Sequence, residues 1–153
     1  MLELDRNWVY AFFGLGQCKL HTGAIEETIP LVECAIRLSP RDPELGVWFQ
    51  QIGVAHLLQS RTEKAIVWLE KARNAIPAHP IFRADLAAAY ALLGENERAA
   101  TELAQARRLS PDDRYSSLAR FRDLPRYREL APRIRSTHRT KVFAVGTVRK
   151  IWA

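Results

Sequence analysis

The sequence predicts an all-α solenoid of about three stacked helix pairs, with a C-terminal capping helical segment and a basic tail. Three observations predict it. Ala, Leu, Arg and Glu are abundant and glycine occurs only 7 times in 153 residues, a composition that favours helix. Pro40, Pro77 and Pro111 fall 37 and 34 residues apart, and each lies five residues after an alanine (Ala35, Ala72, Ala106). The string "AIRLSP" at 35–40 returns as "ARRLSP" at 106–111, with a worn middle copy, "ARNAIP", at 72–77. An internal period of this length is the mark of stacked supersecondary units.

Each unit reads as helix, tight turn, helix, then a proline-marked stop. Seven residues before each of those alanines stands another small residue: Thr28, Ala65 and Ala99. Small residues where two helices cross let their axes approach to about 8–10 Å. Turn signals precede each second helix: "HTGAIEE" at 21–27, "QSRTEKA" at 59–65 and "LGENERA" at 93–99. Gly23 and Gly94 suit a left-handed C-cap, with Ser60 as a costlier stand-in. Proline ends the second helix because it cannot continue one. Six helices are therefore expected, near 7–20, 24–37, 44–58, 62–75, 80–92 and 96–108. A seventh over 112–124 stops at Pro125 and a shorter helical segment follows at 126–136.

These units resemble the tetratricopeptide repeat, whose 34-residue signature runs W-x2-L-G-x2-Y, then A-x3-F, A and P. The first unit, 9–42, matches through Phe12, Leu15-Gly16, Gly23, Ala35 and Pro40. The second, 46–79, matches through Phe49, Ile52-Gly53, Ala65, Ala72 and Pro77, and the third, 80–113, through Leu86, Ala87, Tyr90, Gly94, Ala99, Ala106 and Pro111. Lys19 and His56 depart from the signature's tyrosine and Arg83 from its first aromatic, and three extra residues part units one and two within "RDPELG". The resemblance implies a right-handed solenoid. A wider resemblance, carried by "AIRLSPRDPELGVWFQQIGVAHLLQSR" and "AIVWLEKARNAIPAHP", is to the C-terminal repeat region of bacterial proteins that join a class III adenylate or guanylate cyclase domain, or a winged-helix regulator, to such repeats. It implies a regulatory or partner-binding role.

The ends read differently. Residues 1–8 resemble the tail of a still earlier repeat, with Arg6 in proline's place, and this predicts that the chain begins inside a longer array or has lost an upstream partner. Residues 114–136 are expected to cap the solenoid. Residues 137–153, with β-branched alternation around Gly146, read as a disordered or loosely docked tail, or as a short hairpin.

The resemblance places function on the concave face lined by the first helix of each pair. There the sequence offers Tyr10, Phe13, Gln17 and His21, then Val47, Gln50, Gln51 and Val54, then Ile81, Ala84, Asp85 and Ala88. Such a groove, mostly apolar with a few amides, suits an extended peptide or an amphipathic helix. It lacks the Lys and Asn set of repeats that grip a C-terminal carboxylate. A second reading comes from charge. Residues 112–153 hold 11 Lys/Arg against 4 Asp/Glu, whereas 1–111 hold 12 against 13. Nucleic-acid or anionic-surface binding would run through Arg120, Arg122, Arg126, Arg128, Arg133, Arg135, Arg139, Lys141, Arg149 and Lys150, with Tyr115, Phe121, Tyr127 and Trp152 available to stack on bases. A solvated cap and tail explains the same charges, so nucleic acid is not the expected partner.

No enzyme is expected. His21, His56, His79 and His138 have no second ligand at helical spacing, no glycine-rich phosphate loop occurs, and neither Ser39 nor Ser110 has a base beside it in sequence. No cofactor or metal is implied. Cys18 and Cys34 are expected to be reduced and buried. No run reaches the roughly 20 apolar residues of a membrane span, and "MLELDRNWVY" does not read as a signal peptide, which predicts a cytoplasmic protein.

Overall fold

Helix-forming stretches separated by left-handed turns leave the chain one simple course, a zigzag of antiparallel helices. A computed structural model of the chain describes residues 6–110. It contains α1 (Arg6–Thr22), α2 (Ile25–Leu38), α3 (Leu45–Leu58), α4 (Thr62–Ala75), α5 (Pro80–Leu93) and α6 (Asn96–Leu109), with no strand among the described residues. The expected boundaries hold to within two residues. Pairs α1–α2, α3–α4 and α5–α6 pack internally, α2 packs on α3 and α4 on α5, and α1 and α5 also touch α3. The expected capping segment, the basic tail and its arginines and lysines lie outside the described residues, as do residues 1–5.

The turns follow the sequence signals. Gly23 and Gly94 both take φ 89°, and Ser60 is the one described non-glycine residue at positive φ, 61°. Around Ser60, its own N–H bonds to the Leu57 carbonyl at 3.0 Å and the Arg61 N–H reaches back to His56 at 2.9 Å. Thirty-four residues later the same pair recurs as Gly94 to Ala91 at 3.1 Å and Glu95 to Tyr90 at 2.9 Å. Both are Schellman closures, which satisfy carbonyls that a helix end otherwise leaves open. The three-residue insertion is organised by Asp42, whose side chain accepts the Glu44 N–H at 3.0 Å and the Ser39 hydroxyl at 3.2 Å.

Small residues set the helix spacing. Ala35, Ala72 and Ala106 are each wholly buried, as are Thr28 and Ala65, with Ala99 nearly so. Within the first two pairs the partner helix approaches a glycine. A Cβ on Gly16 would lie 2.9 Å from Val32 Cγ2, and one on Gly53 would lie 2.6 Å from Leu69 Cγ and 3.3 Å from the Ala65 carbonyl oxygen. Position 87 in the third pair holds alanine, also wholly buried. The core follows from this closeness: α3 is buried from Gln51 to Leu58 and α5 from Ala84 to Ala91, each enclosed by the helices around it.

One expectation fails here. Cys18 is exposed and Cys34 only half-buried, both as free thiols. The period explains Cys18: it lies on the side of α1 that, in α3 and α5, another helix covers.

Gly53→Ala and Ser60→Gly are predicted to move stability in opposite directions. The alanine improves helix propensity but overpacks against Leu69, a cost of about 1–3 kcal/mol that outweighs the gain. The glycine relieves a left-handed residue and stabilises by about 1 kcal/mol. Urea unfolding midpoints of the two variants check both signs.

Candidate functional site

The inward-facing helices α1, α3 and α5 present a surface centred on Trp48. This indole is wholly buried and two α1 rings pack on it. Phe13 stacks at 5.9 Å between centroids with a 30° interplanar angle, and Tyr10 meets it edge-on at 6.2 Å and 83°. The Tyr10 hydroxyl lies 3.5 Å from Asp42 Oδ1, a long hydrogen bond. Gln50 Nε2 donates to Asp85 Oδ2 at 2.6 Å, which ties α3 to α5 across the face. Gln17 and His21 continue the α1 side and are exposed, while Phe13, Val47 and Gln50 are partly covered.

The rest of the expected groove is closed. Gln51, Val54, Ile81 and Asp85 are all buried, at 1–6 % exposure, as are Ala84 and Ala88. Each has a physical reason. Val54 belongs to the central apolar cluster, Ile81 packs with Ala72 and Phe82, and Asp85 accepts the Gln50 amide. Gln51 lies beside Gly16, where a Cβ would sit 3.5 Å from its amide nitrogen. The accessible part is therefore Tyr10, Phe13, Gln17, His21, Val47 and Gln50. It offers aromatic faces for apolar contact, with an imidazole and amides for hydrogen bonds.

Two positions where the sequence departs from the repeat signature, Lys19 and Arg83, form ion pairs. Arg83, in place of an aromatic, donates to Glu102 Oε2 at 2.9 Å, and Arg73 of the preceding pair holds the other oxygen. The corresponding positions one unit earlier are Phe49 and Trp68, whose rings lie 5.7 Å apart. One joint is thus aromatic in the second unit and ionic in the third. At the signature's tyrosine, Lys19 pairs with Glu27 at 2.8 Å. Tyr90 is held by Glu70 and Arg98, with the Arg98 guanidinium 4.0 Å above its ring. Burial and the hydrogen bond to Glu70 push the Tyr90 hydroxyl up to about 12. His56, between them in the series, is buried. Burial first, then the charges of Arg61 and Lys64, hold its imidazole below the ordinary histidine value.

Sequence reasoning missed Trp48, the anchor of the surface. Its signal was present, since Phe82 stands 34 residues later and both are almost completely buried. The signature-based alignment gave weight to the neighbouring Phe49 instead.

No group of three or more His, Cys, Asp or Glu gathers among the described residues as a metal site, and no described helix is long and apolar enough to cross a membrane. Residues 56–120 match the tetratricopeptide repeat family. Among solved structures the chain is similar to the crystal structure of MamA, at 18 % identity and a TM-score of 0.65, with 98 % of this chain and 80 % of that chain covered. At that identity the likeness speaks for the fold. No curated protein matches the sequence.

His56 makes stability depend on acidity. Its folded-state pKa lies below the unfolded value of 6.5, so the unfolded chain takes up the proton first and stability is lost as pH falls below that value. The melting temperature is expected to drop between pH 7.5 and 5.5, and to drop less in His56→Gln. Equal slopes for the two proteins would exclude His56 as the cause.

Proposed function

We propose that the chain is a protein-interaction scaffold whose concave face receives an extended peptide or an amphipathic helix. The observation that carries this reading is the half-open aromatic surface on Trp48: Phe13 stacks on it, Tyr10 meets it edge-on, and Gln50 is held in place beside it by Asp85. Rings fixed by packing lose little entropy on binding, and polar groups already oriented give register to a peptide backbone. The repeat match over 56–120 and the similarity to MamA in fold support a scaffold over an enzyme. In the finer form of this reading, the scaffold is the regulatory or partner-binding part of a bacterial, cyclase-like signalling protein acting in the cytoplasm. The wording of the repeats supports it.

Peptides selected from a random library against the full chain test the scaffold reading. Changing Tyr10, Gln17 and His21 together to alanine alters exposed or half-exposed side chains and should leave the helical spectrum unchanged, with melting lowered only by the lost Tyr10 contacts to Trp48 and Asp42. It is expected to weaken peptide binding by about tenfold or more, roughly the 1.4 kcal/mol that one lost aromatic contact and two polar ones account for. Undiminished binding by that variant would overturn the concave-face reading. Salt-sensitive binding to oligonucleotides instead, lost when residues 114–153 are removed, would favour the basic region as the working surface.

A further inference from the structure

The Gln50 amide has only one way to face. Its Nε2 donates to Asp85 Oδ2 at 2.6 Å, across the gap between α3 and α5. An ionised carboxylate accepts hydrogen bonds and donates none, so the amide nitrogen turns toward Asp85 and the carbonyl oxygen away from it. Asp85 itself is 1 % exposed and does not present its charge to a partner. Among the described residues nothing donates to Gln50 Oε1, and that atom reaches solvent. The adjacent Gln51 is no substitute, because both of its amide atoms are buried.

The Tyr10 hydroxyl is turned in the same sense, with its proton toward Asp42 Oδ1 at 3.5 Å, and Asp42 is 5 % exposed. Two buried carboxylates thus draw the protons of two neutral groups inward and leave oxygen lone pairs outward. None of the accessible residues Tyr10, Phe13, Gln17, His21, Val47 and Gln50 is lysine or arginine, so no fixed cation offsets that polarity. Such a surface is complementary to a hydrogen-bond donor. A charged donor would leave water for a neutral acceptor among apolar rings, with both carboxylates already bonded to protein donors, which is unfavourable. A backbone N–H carries no such cost. An extended peptide turns its free N–H groups to an acceptor residue after residue and its side chains to the surface beside it. A helix laid side-on does not, since past its first turn every N–H is bonded to its own carbonyls.

We propose that Gln50 reads a backbone N–H of an extended partner segment, and that Asp85 is the positioning residue that fixes the Gln50 oxygen for it. The proposal rests on the concave-face reading and narrows the partner of that face to an extended peptide.

Two libraries selected against the full chain separate the two claims. One holds linear peptides with a fixed central proline, which cannot continue a helix; the other holds peptides locked as helices by side-chain lactams. Binders that the Tyr10, Gln17 and His21 triple variant weakens are expected from the proline library. In the tightest of them each backbone N–H is replaced in turn by an ester oxygen, which removes the donor without adding bulk. One position is expected to lose about tenfold in affinity. That loss should largely disappear in Gln50→Met. It should also shrink in Asp85→Asn, whose amide can meet Gln50 in either sense, with the helical spectrum retained. A scan with no sensitive position overturns the proposal without any variant having to fold. A loss undiminished in Gln50→Met does the same, and one undiminished in Asp85→Asn overturns the positioning role. Binders from the helical library alone overturn this inference and leave the scaffold reading standing. The absence of any binder on the concave face from either library overturns both.

Discussion

Everything in this fold depends on how closely two helices can cross. At Gly16 and Gly53 the partner helix occupies the space a side chain would take, with Val32 and Leu69 inside 3 Å of the absent Cβ. At Ala35, Ala72 and Ala106 a single methyl is all the contact allows, and each is wholly buried. Close crossing removes α3 and α5 from water along most of their length, and that burial supplies the main stabilisation of a chain in which no single pair could bury its apolar face alone. It also fixes the direction of the inward side chains, so that Trp48 meets the α1 rings and Gln50 meets Asp85.

Given that spacing, the joints tolerate very different chemistry. Phe49 and Trp68 in the second unit become Arg83 and Glu102 in the third, with Arg73 as an added partner. A buried carboxylate between two guanidiniums is costly to desolvate, and loss of one guanidinium still leaves it the other. Of its two ion pairs only the one from Arg73 crosses between units, so that contact favours the second and third units lying in register, while Arg83 and Glu102 pair within the third. The signature-tyrosine position shows the same freedom: an ion pair at Lys19, a neutral buried imidazole at His56, and a clamped phenol at Tyr90.

Much of this was legible in the sequence, for identifiable reasons. Proline and small-residue spacing sets helix ends and crossings through backbone sterics, so the six helices and the left-handed turn at Ser60 could be read from single residues. Burial was less legible because it depends on which neighbour covers a face. Gln51, Val54, Ile81 and Asp85 sit at groove positions by register yet are enclosed, and Cys18 was expected inside yet is exposed. Trp48 escaped notice because a signature weights the position that families share, and its anchoring role comes from the inter-unit contact.

The central claim is that stability passes between neighbouring helices through filled joints, so a helix with a filled joint on each side is held harder than one with an open side. Amide hydrogen exchange of the full chain measures this helix by helix. The account predicts the greatest protection in α3 and α5, and clearly less in α1, whose outer side no described helix covers. Protection in α1 equal to that in α3 would contradict it.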